Sequence, residues 1–580
     1  MCGIAGIIGI EPTAGELALR SMLMSIVHRG PDEEGRLIRP GVAIGSRRLS
    51  IIDLPGGSQP VWNENGTLAA IFNGEIYNFR TLRRELQDSG HRFRTLSDTE
   101  VIVHAYEAWG DDCVRHLDGM FAFAVVELPG GRNAPPTRVF LARDRLGIKP
   151  LYYAFAGGTF CFASEIKAIV ASGLVKQSLC QDAIASYLLF GAVSEPSTVI
   201  DGIFVLPPGS SVAVDSTEPT RHVEPQPFWG GRKITALASA IDAPPARHVR
   251  TLLENAVASH LVADVPVGVF LSSGIDSTAI AALASRAQSG IHTFTVAFPE
   301  IDFNEAEIAR GTAQSLGTNH REVSISAGEM LSHMEDAIAA FDQPTIDGVN
   351  SYFVSWMARQ AGLKVALSGL GSDELFGGYS SFRATRLFAG IASVARVLPE
   401  PLRSFVGTRI IAAKPRGSRA GGWRKIAAAL ARPNSLPHPY FFTRLLFTPD
   451  AAASAMRQDP SRWESATWLR RLANAAQQTR EVDWFTAVSW LEIRSYLLNM
   501  LLRDTDAMSM CHSLEVRVPF LDTQLVEYVL SLPESAKYSP GRPKSLLVDA
   551  VRDLLPPEVI GQRKRTFTFP WEVWLRGTLR

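Results

Sequence analysis

The sequence predicts an α/β and α+β chain in two domains. The first has layered sheets covered by helices, and the second has a doubly wound parallel sheet with a helical C-terminal part. Three observations carry this. A chain of 580 residues is too long for one core. Up to about residue 210, short runs rich in β-branched and aromatic residues follow one another with turns between them. From about residue 243 helical and strand patterns alternate, and beyond residue 380 the pattern is mostly helical. Hydrophobic content of 46% and charged content of 20% describe a globular chain, and a formal net charge of zero implies no global attraction to nucleic acid or membrane. No apolar run approaches the roughly 20 residues of a membrane span; "LFAGIASVARVL" is broken by Arg396. The five cysteines, Cys2, Cys113, Cys161, Cys180 and Cys511, are odd in number and lack CxxC spacing, which points to reduced thiols in a cytoplasmic enzyme.

The chain opens "MCGIAGIIGI", which has neither the basic residues nor the length of a secretory signal. The next cysteine, Cys113, is too distant in sequence for a local zinc motif. Removal of Met1 would leave a thiol and a free α-amine on Cys2. Such an amine, with a pKa of roughly 7.7–8.0, can act as base toward its own thiol. Taken alone, Cys2 reads better as an ordinary buried cysteine near a strand start. A helix over "ELALRSMLMSIV" follows, then strands in "GVAIGSRRLSIID" and "LAAIFNGEIYNF". "SDTEVIVHAYEAWG" is a second helix, with Ser97 and Glu100 as a capping box. "FAFAVVEL", "RVFLARDRLG" and "LYYAFAGGTFCFASE" are further strands. The proline-rich "LPPGSSVAVDSTEPTRHVEPQPFW" reads as a hairpin and linker, which sets the boundary at Pro208–Gly209 and the domains at 1–209 and 210–580.

In the second half "APPARHVRTLLENAVASHL" and "DSTAIAALASRAQ" are helical, while "VPVGVFLSS", "HTFTVAF" and "AGLKVALSG" are strands. This βαβ grammar predicts a parallel sheet with ligands at the carboxyl ends of its strands. One such end is "VFLSSGIDST". Gly274 permits close backbone approach, and Ser272, Ser273, Ser277 and the helix N-terminal amides can donate to phosphate. The Gly-Lys-Ser/Thr ending of a Walker A loop is missing. Asp276 would repel phosphate unless it held Mg²⁺, although an Asp-Ser helix cap explains it as well. A second loop, "LSGLGSDELFGGY", brings Asp373 and Glu374 to an adjacent strand end, where two acidic loops bracketing a triphosphate would hold Mg²⁺ for adenylyl transfer. Between Arg383 and Lys425 ten Lys or Arg stand against one acidic residue, Glu400. A solvated basic helical face is the stronger reading, and a docking surface for an anionic partner the weaker.

With these stretches together, the chain resembles the glutamine-dependent asparagine synthetases over essentially its whole length. "MCGIAGI", "HRGPD", "RRLSI", "FNGEIYN" and "SDTE" match the class II glutamine amidotransferase domain. "LSSGIDS", "SGLGSDELFGGY", "LLRDTDAMSMCHSLEVRVPFLD", "GRPKSLL" and "RKRTF" match the ATP-pyrophosphatase synthetase domain. The resemblance implies an N-terminal-nucleophile α/β/β/α sandwich. It casts Cys2 as the nucleophile on glutamine, Asn73 and Gly74 as the oxyanion hole, Arg48 as the α-carboxylate ligand, and Glu75 with Asp98 as ligands of the α-amino group. It assigns ATP to Leu271, Ser272, Ser273, Gly274, Asp276, Ser277, Ser368 and Gly369, Mg²⁺ to Asp276 and Asp373, and charge stabilisation to Lys544. Ammonia would pass between the sites through an internal tunnel. The partners implied are glutamine, ATP and aspartate or another carboxylate, and a homodimer is compatible with the resemblance.

Departures from the family pattern are Ser273 for a second loop glycine, Asn304 for an aspartate in "FNEAE", and Leu370 where asparagine synthetases have a glutamate that handles the aspartate intermediate. The chain also ends at "WLRGTLR", where relatives are expected to continue. Leu370 keeps a rival open: the same mechanism acting on a sugar uronate or peptide carboxylate. The phosphosugar aminotransferases share only the first half, and "SSGIDS" argues against them. A catalytically silent scaffold is disfavoured because Cys2, Asn73 and Asp276 are all present.

Overall fold

The computed structural model describes residues 2–221, 223–230, 244–298, 305–412, 420–459, 463, 465–561 and 569–577. Met1, Asn304, "RKRTF" and part of the basic stretch, 413–419, lie outside the described residues.

The first half contains two six-stranded antiparallel sheets. In spatial order one runs Ile203–Val205, Tyr152–Ala156, Thr159–Ala163, Cys2–Ile8, Val42–Arg48, Glu33–Arg39. The other runs Gln226–Pro227, Ser210–Asp215, Arg138–Arg143, Gly119–Glu127, Leu68–Ile76, Val61–Trp62. Alternation along each strand explains the layering, because successive side chains leave opposite faces. Ile4 and Ile8 join Ile71, Ala122, Ala124 and Leu141 in the core between the sheets. Ala5 and Ile7 point the other way, onto Leu19, Met22 and Leu23 of helix Pro12–Ser25. Phe121, Phe123 and Val125 likewise pack under Val101, Ile102 and Ala105 of helix Thr99–Trp109. The result is helix, sheet, sheet, helix.

Two local expectations change. Ser210–Asp215 pairs with Arg138–Arg143, so the second sheet continues past the boundary read at Pro208–Gly209. The Ser97–Glu100 capping box does not form. Asp98 occupies the N-cap with no capping bond. Glu100 instead accepts backbone N–H bonds from Arg94 (2.8 Å) and Thr95 (2.7 Å), having been drawn into a tertiary role.

The second half is built on a five-stranded, all-parallel sheet in the order Asn319–Ser324, His292–Ala297, Val267–Phe270, Val365–Leu367, Glu515–Arg517. Both faces are covered: Val269, Val365 and Leu367 pack toward helices Pro245–His260 and Ile275–Ala287, and Phe294, Ala366 and Val516 toward helix Gly348–Gln360. The earliest strand, Val267–Phe270, is central, with its successors on one side and the later pair on the other. Strand order therefore reverses between Val267–Phe270 and Val365–Leu367, and a crevice opens at that switch point. Beyond residue 380 helices dominate as expected, the exception among the described residues being the three-residue strand Glu515–Arg517. Helix Trp484–Leu491 runs into an 11-residue π-helical stretch, Glu492–Leu502, and on into Arg503–Met510. Of the basic stretch, Arg383, Arg386, Arg396, Arg409 and Arg424 are exposed. Among the described residues no helix is long and apolar enough to cross a membrane.

Candidate active site

Two centres emerge. In the first, the register of Cys2–Ile8 against Val42–Arg48 sets Cys2 opposite Arg48. Cys2 is buried, and its backbone N–H donates to Asn73 Oδ1 at 3.1 Å, tying one sheet to the other. Burial pushes the thiol up. Asn73 and Glu75 share a face of strand Leu68–Ile76. The Asn73 Nδ2 is buried and has no hydrogen-bond partner among the described residues. A buried donor without an acceptor is costly, and this one belongs to the amide whose Oδ1 holds the Cys2 N–H. Between them Gly74 has φ +151°, and a Cβ there would lie 2.0 Å from the Met120 carbonyl oxygen, so only glycine fits.

The remaining glutamine-site candidates are engaged with protein groups. Both terminal nitrogens of Arg48 are occupied: Nη1 donates to Leu54 O (3.1 Å) and Glu33 (3.2 Å), Nη2 to Asp53 O (2.7 Å) and Ile52 O (3.3 Å). Arg48 thus shapes the 52–54 loop in this structure. Asp98 accepts the Ile76 N–H at 3.0 Å, and Glu75 pairs with Arg517 at 2.9 Å. Burial holds both carboxyls above the usual carboxylate range.

Sequence reasoning missed several neighbours. Gln59 Nε2 lies 3.5 Å from Cys2 Sγ, and Gln59 is fixed by exchanging bonds with the Phe72 backbone (3.1 and 2.8 Å). Arg29 is fully buried, reaches Cys2 O at 3.3 Å, and pairs with Glu165 (2.9 Å) and Asp506 (2.8 Å). Arg29, Asp506 and Arg517 lie inside stretches that carry the family resemblance, but no local pattern tells which of their side chains will cross between halves. Gln59 carries no signal at all.

The second centre is a cavity of about 610 Å³ at the switch point, lined among others by Ser272, Ser273, Gly274, Asp276, Ser368, Leu370, Asp373 and Lys544. The phosphate-loop candidate is knotted on itself. The Ser272 and Ser277 hydroxyls are 2.8 Å apart, and the N–H groups of Ser272 and Gly274 donate to Ser277 Oγ (3.0 Å) and Ser272 Oγ (3.2 Å). Ser273 N–H donates to Glu305 at 3.2 Å, a contact unseen in the sequence. Leu271, Ser277 and Gly369 stand behind the wall: Leu271 is buried in the apolar core, and a Cβ on Gly369 would approach Asp276 Cβ to 2.9 Å. Asp276 and Asp373 do converge, on Lys544. Its Nζ lies 2.6 and 2.5 Å from the Asp276 carboxylate oxygens and 2.6 Å from Asp373 Oδ1. Burial works against the Lys544 ammonium, but the two aspartates outweigh it and raise its pKa. Glu374, by contrast, turns away to the Tyr379 hydroxyl at 2.9 Å, and burial pushes its carboxyl up to about 7.

The halves share more than an interface. Leu49, Ile51, Met120, Leu146 and Ile148 belong to the same apolar cluster as Val269, Leu271 and Leu367, and Leu370 packs against it.

Comparison with known proteins gives two family matches. Residues 1–229 match the glutamine amidotransferase domain family and residues 248–580 the asparagine synthase family. Among curated relatives, asparagine synthetase (glutamine-hydrolyzing) 1 of Bacillus subtilis is 31% identical, with 100% of this chain and 88% of the relative covered. A putative asparagine synthetase (glutamine-hydrolyzing) of Mycobacterium tuberculosis is 33% identical, with 100% and 89% covered. Amidase chry2 of Gibberella zeae is 28% identical, with 97% and 86% covered.

Proposed function

The chain belongs to the asparagine synthase family, a family of carbon–nitrogen ligases that take their nitrogen from glutamine, and from that premise we propose that it uses ATP to amidate a carboxylate, aspartate being the first acceptor to test. Cys2 Sγ attacks the glutamine side-chain amide, ammonia leaves, and water then releases glutamate from the thioester. Asn73 Nδ2, a buried donor without a partner among the described residues, would donate to the tetrahedral oxyanion, a contribution of roughly 10²–10³ in rate. At the second centre a carboxylate oxygen attacks the α-phosphorus of ATP, and pyrophosphate departs. Ammonia then attacks the acyl carbon of the adenylate, AMP leaves with the C–O bond electrons, and the amide nitrogen loses a proton.

The observation that carries this reading is the convergence of Asp276, Asp373 and Lys544 at the strand switch point. Because both carboxylates reach one ammonium, they are close enough to share a cation, and their hard oxygens suit Mg²⁺, which when bound would offset pyrophosphate charge. Lys544 would turn its ammonium to the phosphates as they enter. The apolar cluster joining the halves favours passage of neutral ammonia over ammonium. A second reading has one specific support. Leu370 gives the cavity an apolar wall, which suits a bulkier carboxylate, and relatives such as amidase chry2 carry a name other than asparagine synthetase.

Pyrophosphate release measured across a panel of carboxylates, with glutamine or ammonium salts as nitrogen source, tests both readings. The expected result is acceptor-dependent AMP and pyrophosphate, with Cys2→Ala losing only the glutamine-driven reaction. Formation of ADP, or loss of the ammonium-driven reaction in folded Cys2→Ala, would overturn the two-centre mechanism.

A further inference from the structure

On the outer helical layer of the first half, four side chains from three separate segments converge. Glu64 lies in the turn between Val61–Trp62 and Leu68–Ile76, His91 follows helix Phe79–Asp88, and His104 and Glu107 share a face of Thr99–Trp109 at i, i+3 spacing. We propose that Glu64, His91, His104 and Glu107 form a structural site for a divalent ion of the Zn²⁺ class.

Geometry carries this. One ligand atom from each residue lies within 4.8 Å of all the others. The pairs are His104 Nδ1 to Glu64 Oε2 at 3.4 Å, His91 Nδ1 to Glu64 Oε1 at 3.5 Å, His91 Nδ1 to Glu107 Oε2 at 3.6 Å and His104 Nδ1 to Glu107 Oε2 at 4.0 Å. A tetrahedral ion with bonds of about 2.0–2.1 Å has ligand–ligand edges of about 3.3–3.4 Å. Three of these contacts, at 3.4–3.6 Å, are close to such an edge; Glu107 must approach His104 from 4.0 Å, and Glu64, which meets the two imidazoles through different oxygens, must turn to present one of them.

The second observation is His104 itself. It is fully buried, and among the described residues neither ring nitrogen makes a hydrogen bond of good geometry. Buried imidazoles are ordinarily satisfied, and a metal on Nδ1 would satisfy this one. The other nitrogen, Nε2, faces Glu100 Oε1 at 3.6 Å. Glu100 is held by the Arg94 and Thr95 N–H groups and, at 2.7 Å, the Thr95 hydroxyl. A carboxylate behind a ligating histidine fixes its tautomer and orientation, the usual support of a zinc ligand. Charge points the same way. Glu64, Glu100 and Glu107 bring three negative charges to two imidazoles, and a divalent ion offsets two of them. Paired imidazoles favour Zn²⁺ over Mg²⁺ or Ca²⁺, which prefer all-oxygen sets.

The ion would staple the 63–67 turn and the 89–98 segment to the helix. That segment ends at Asp98, and its Leu96 N–H holds Asp53 Oδ2 at 2.7 Å. The site thus stiffens the approach to the glutamine centre without touching it.

The test is metal content after dialysis of the full chain against Zn²⁺, then against metal-free buffer, in the unaltered protein, His104→Gln and Glu107→Gln. Glu107 is partly exposed, so its replacement opens no cavity. The expected result is one equivalent of zinc lost in both variants, with Co²⁺ giving the intense visible bands of a four-coordinate site only in the unaltered protein. Saturating Zn²⁺ should raise its Tm by about 5 °C and leave the variants unmoved. No zinc retained by the unaltered protein, or zinc and Co²⁺ spectra unchanged in both variants, would overturn the site.

Discussion

Leu370 is the residue on which the choice between the two proposed acceptors turns. It lies on the wall of the switch-point cavity, packs against the apolar cluster that joins the halves, and its N–H turns back to Ser368 Oγ at 3.3 Å. A leucine there can neither accept a proton from the attacking ammonia nor hydrogen-bond a polar acceptor. A carboxyl placed at the same point would be desolvated on its apolar side, which raises its pKa and suits it to take a proton near neutral pH. General base assistance is worth typically 10²–10⁴-fold, and its absence lowers turnover more than affinity. Leu370→Glu is accordingly expected to raise aspartate-dependent pyrophosphate release by about tenfold or more, chiefly in kcat. Fast turnover of aspartate in the unaltered protein, reduced by the substitution, would show that Leu370 does not mark a change of acceptor. The residue was legible because it departs from the family pattern within "SGLGSDELFGGY". Gln59, equally close to its own centre, was not, since its position beside Cys2 Sγ depends on a backbone exchange with Phe72 on another strand.

Strands and loops with strong local grammar were readable, and elements defined by distant partners were not. The run 68–79, rich in apolar and aromatic residues, was readable as the strand that holds Asn73, Gly74 and Glu75, and the βαβ rhythm as the parallel sheet with its two acidic loops. Ser210–Asp215 lies in the stretch read as a hairpin and linker and does pair with Gln226–Pro227, but nothing local marked its longer pairing with Arg138–Arg143. Glu515–Arg517, three residues long within helices, had no pattern of its own, and neither did the π-helical winding of Glu492–Leu502. The capping box failed because the Glu100 carboxylate is taken up by the Arg94 and Thr95 N–H groups and the Thr95 hydroxyl. What fixes the course of the Asn73 strand is Gly74. A methyl group there meets a main-chain oxygen, which cannot swing aside, in a backbone conformation that side chains rarely adopt. Gly74→Ala should cost about 3 kcal/mol or more, read from the urea midpoint, and should abolish glutamine hydrolysis. Gly131 also has positive φ (+88°) but open space around its Cβ position, and Gly131→Ala should cost about 1 kcal/mol. Equal losses would mean that the Met120 carbonyl is not the obstacle.

Across the whole molecule one side chain joins the two centres. Arg517, fully buried on the last strand of the parallel sheet, pairs with Glu75 of the glutamine centre (2.9 Å) and with Glu515 (2.5 Å). It also donates to the carbonyls of His260 and Val262, both at 2.7 Å. Its own carbonyl accepts the N–H of Ser368, at the head of the acidic loop, at 2.8 Å. A shift of Glu75 would therefore be two bonded steps from the switch-point cavity. Removing the guanidinium takes from the buried Glu75 carboxyl its cationic partner, and breaking a buried pair costs about 3–5 kcal/mol because the remaining charge stays buried. Arg517→Met should lose stability on that scale, and adding Glu75→Gln should recover part of it, since the group left behind is then neutral. The functional readout is stoichiometry. In the unaltered protein glutamate and pyrophosphate are expected to appear near one to one, whereas Arg517→Met should release glutamate in excess while ammonium-driven pyrophosphate release persists. A merely structural role would lower both products together. An unchanged ratio in folded Arg517→Met would show that the Glu75–Arg517–Ser368 connection does not couple the centres.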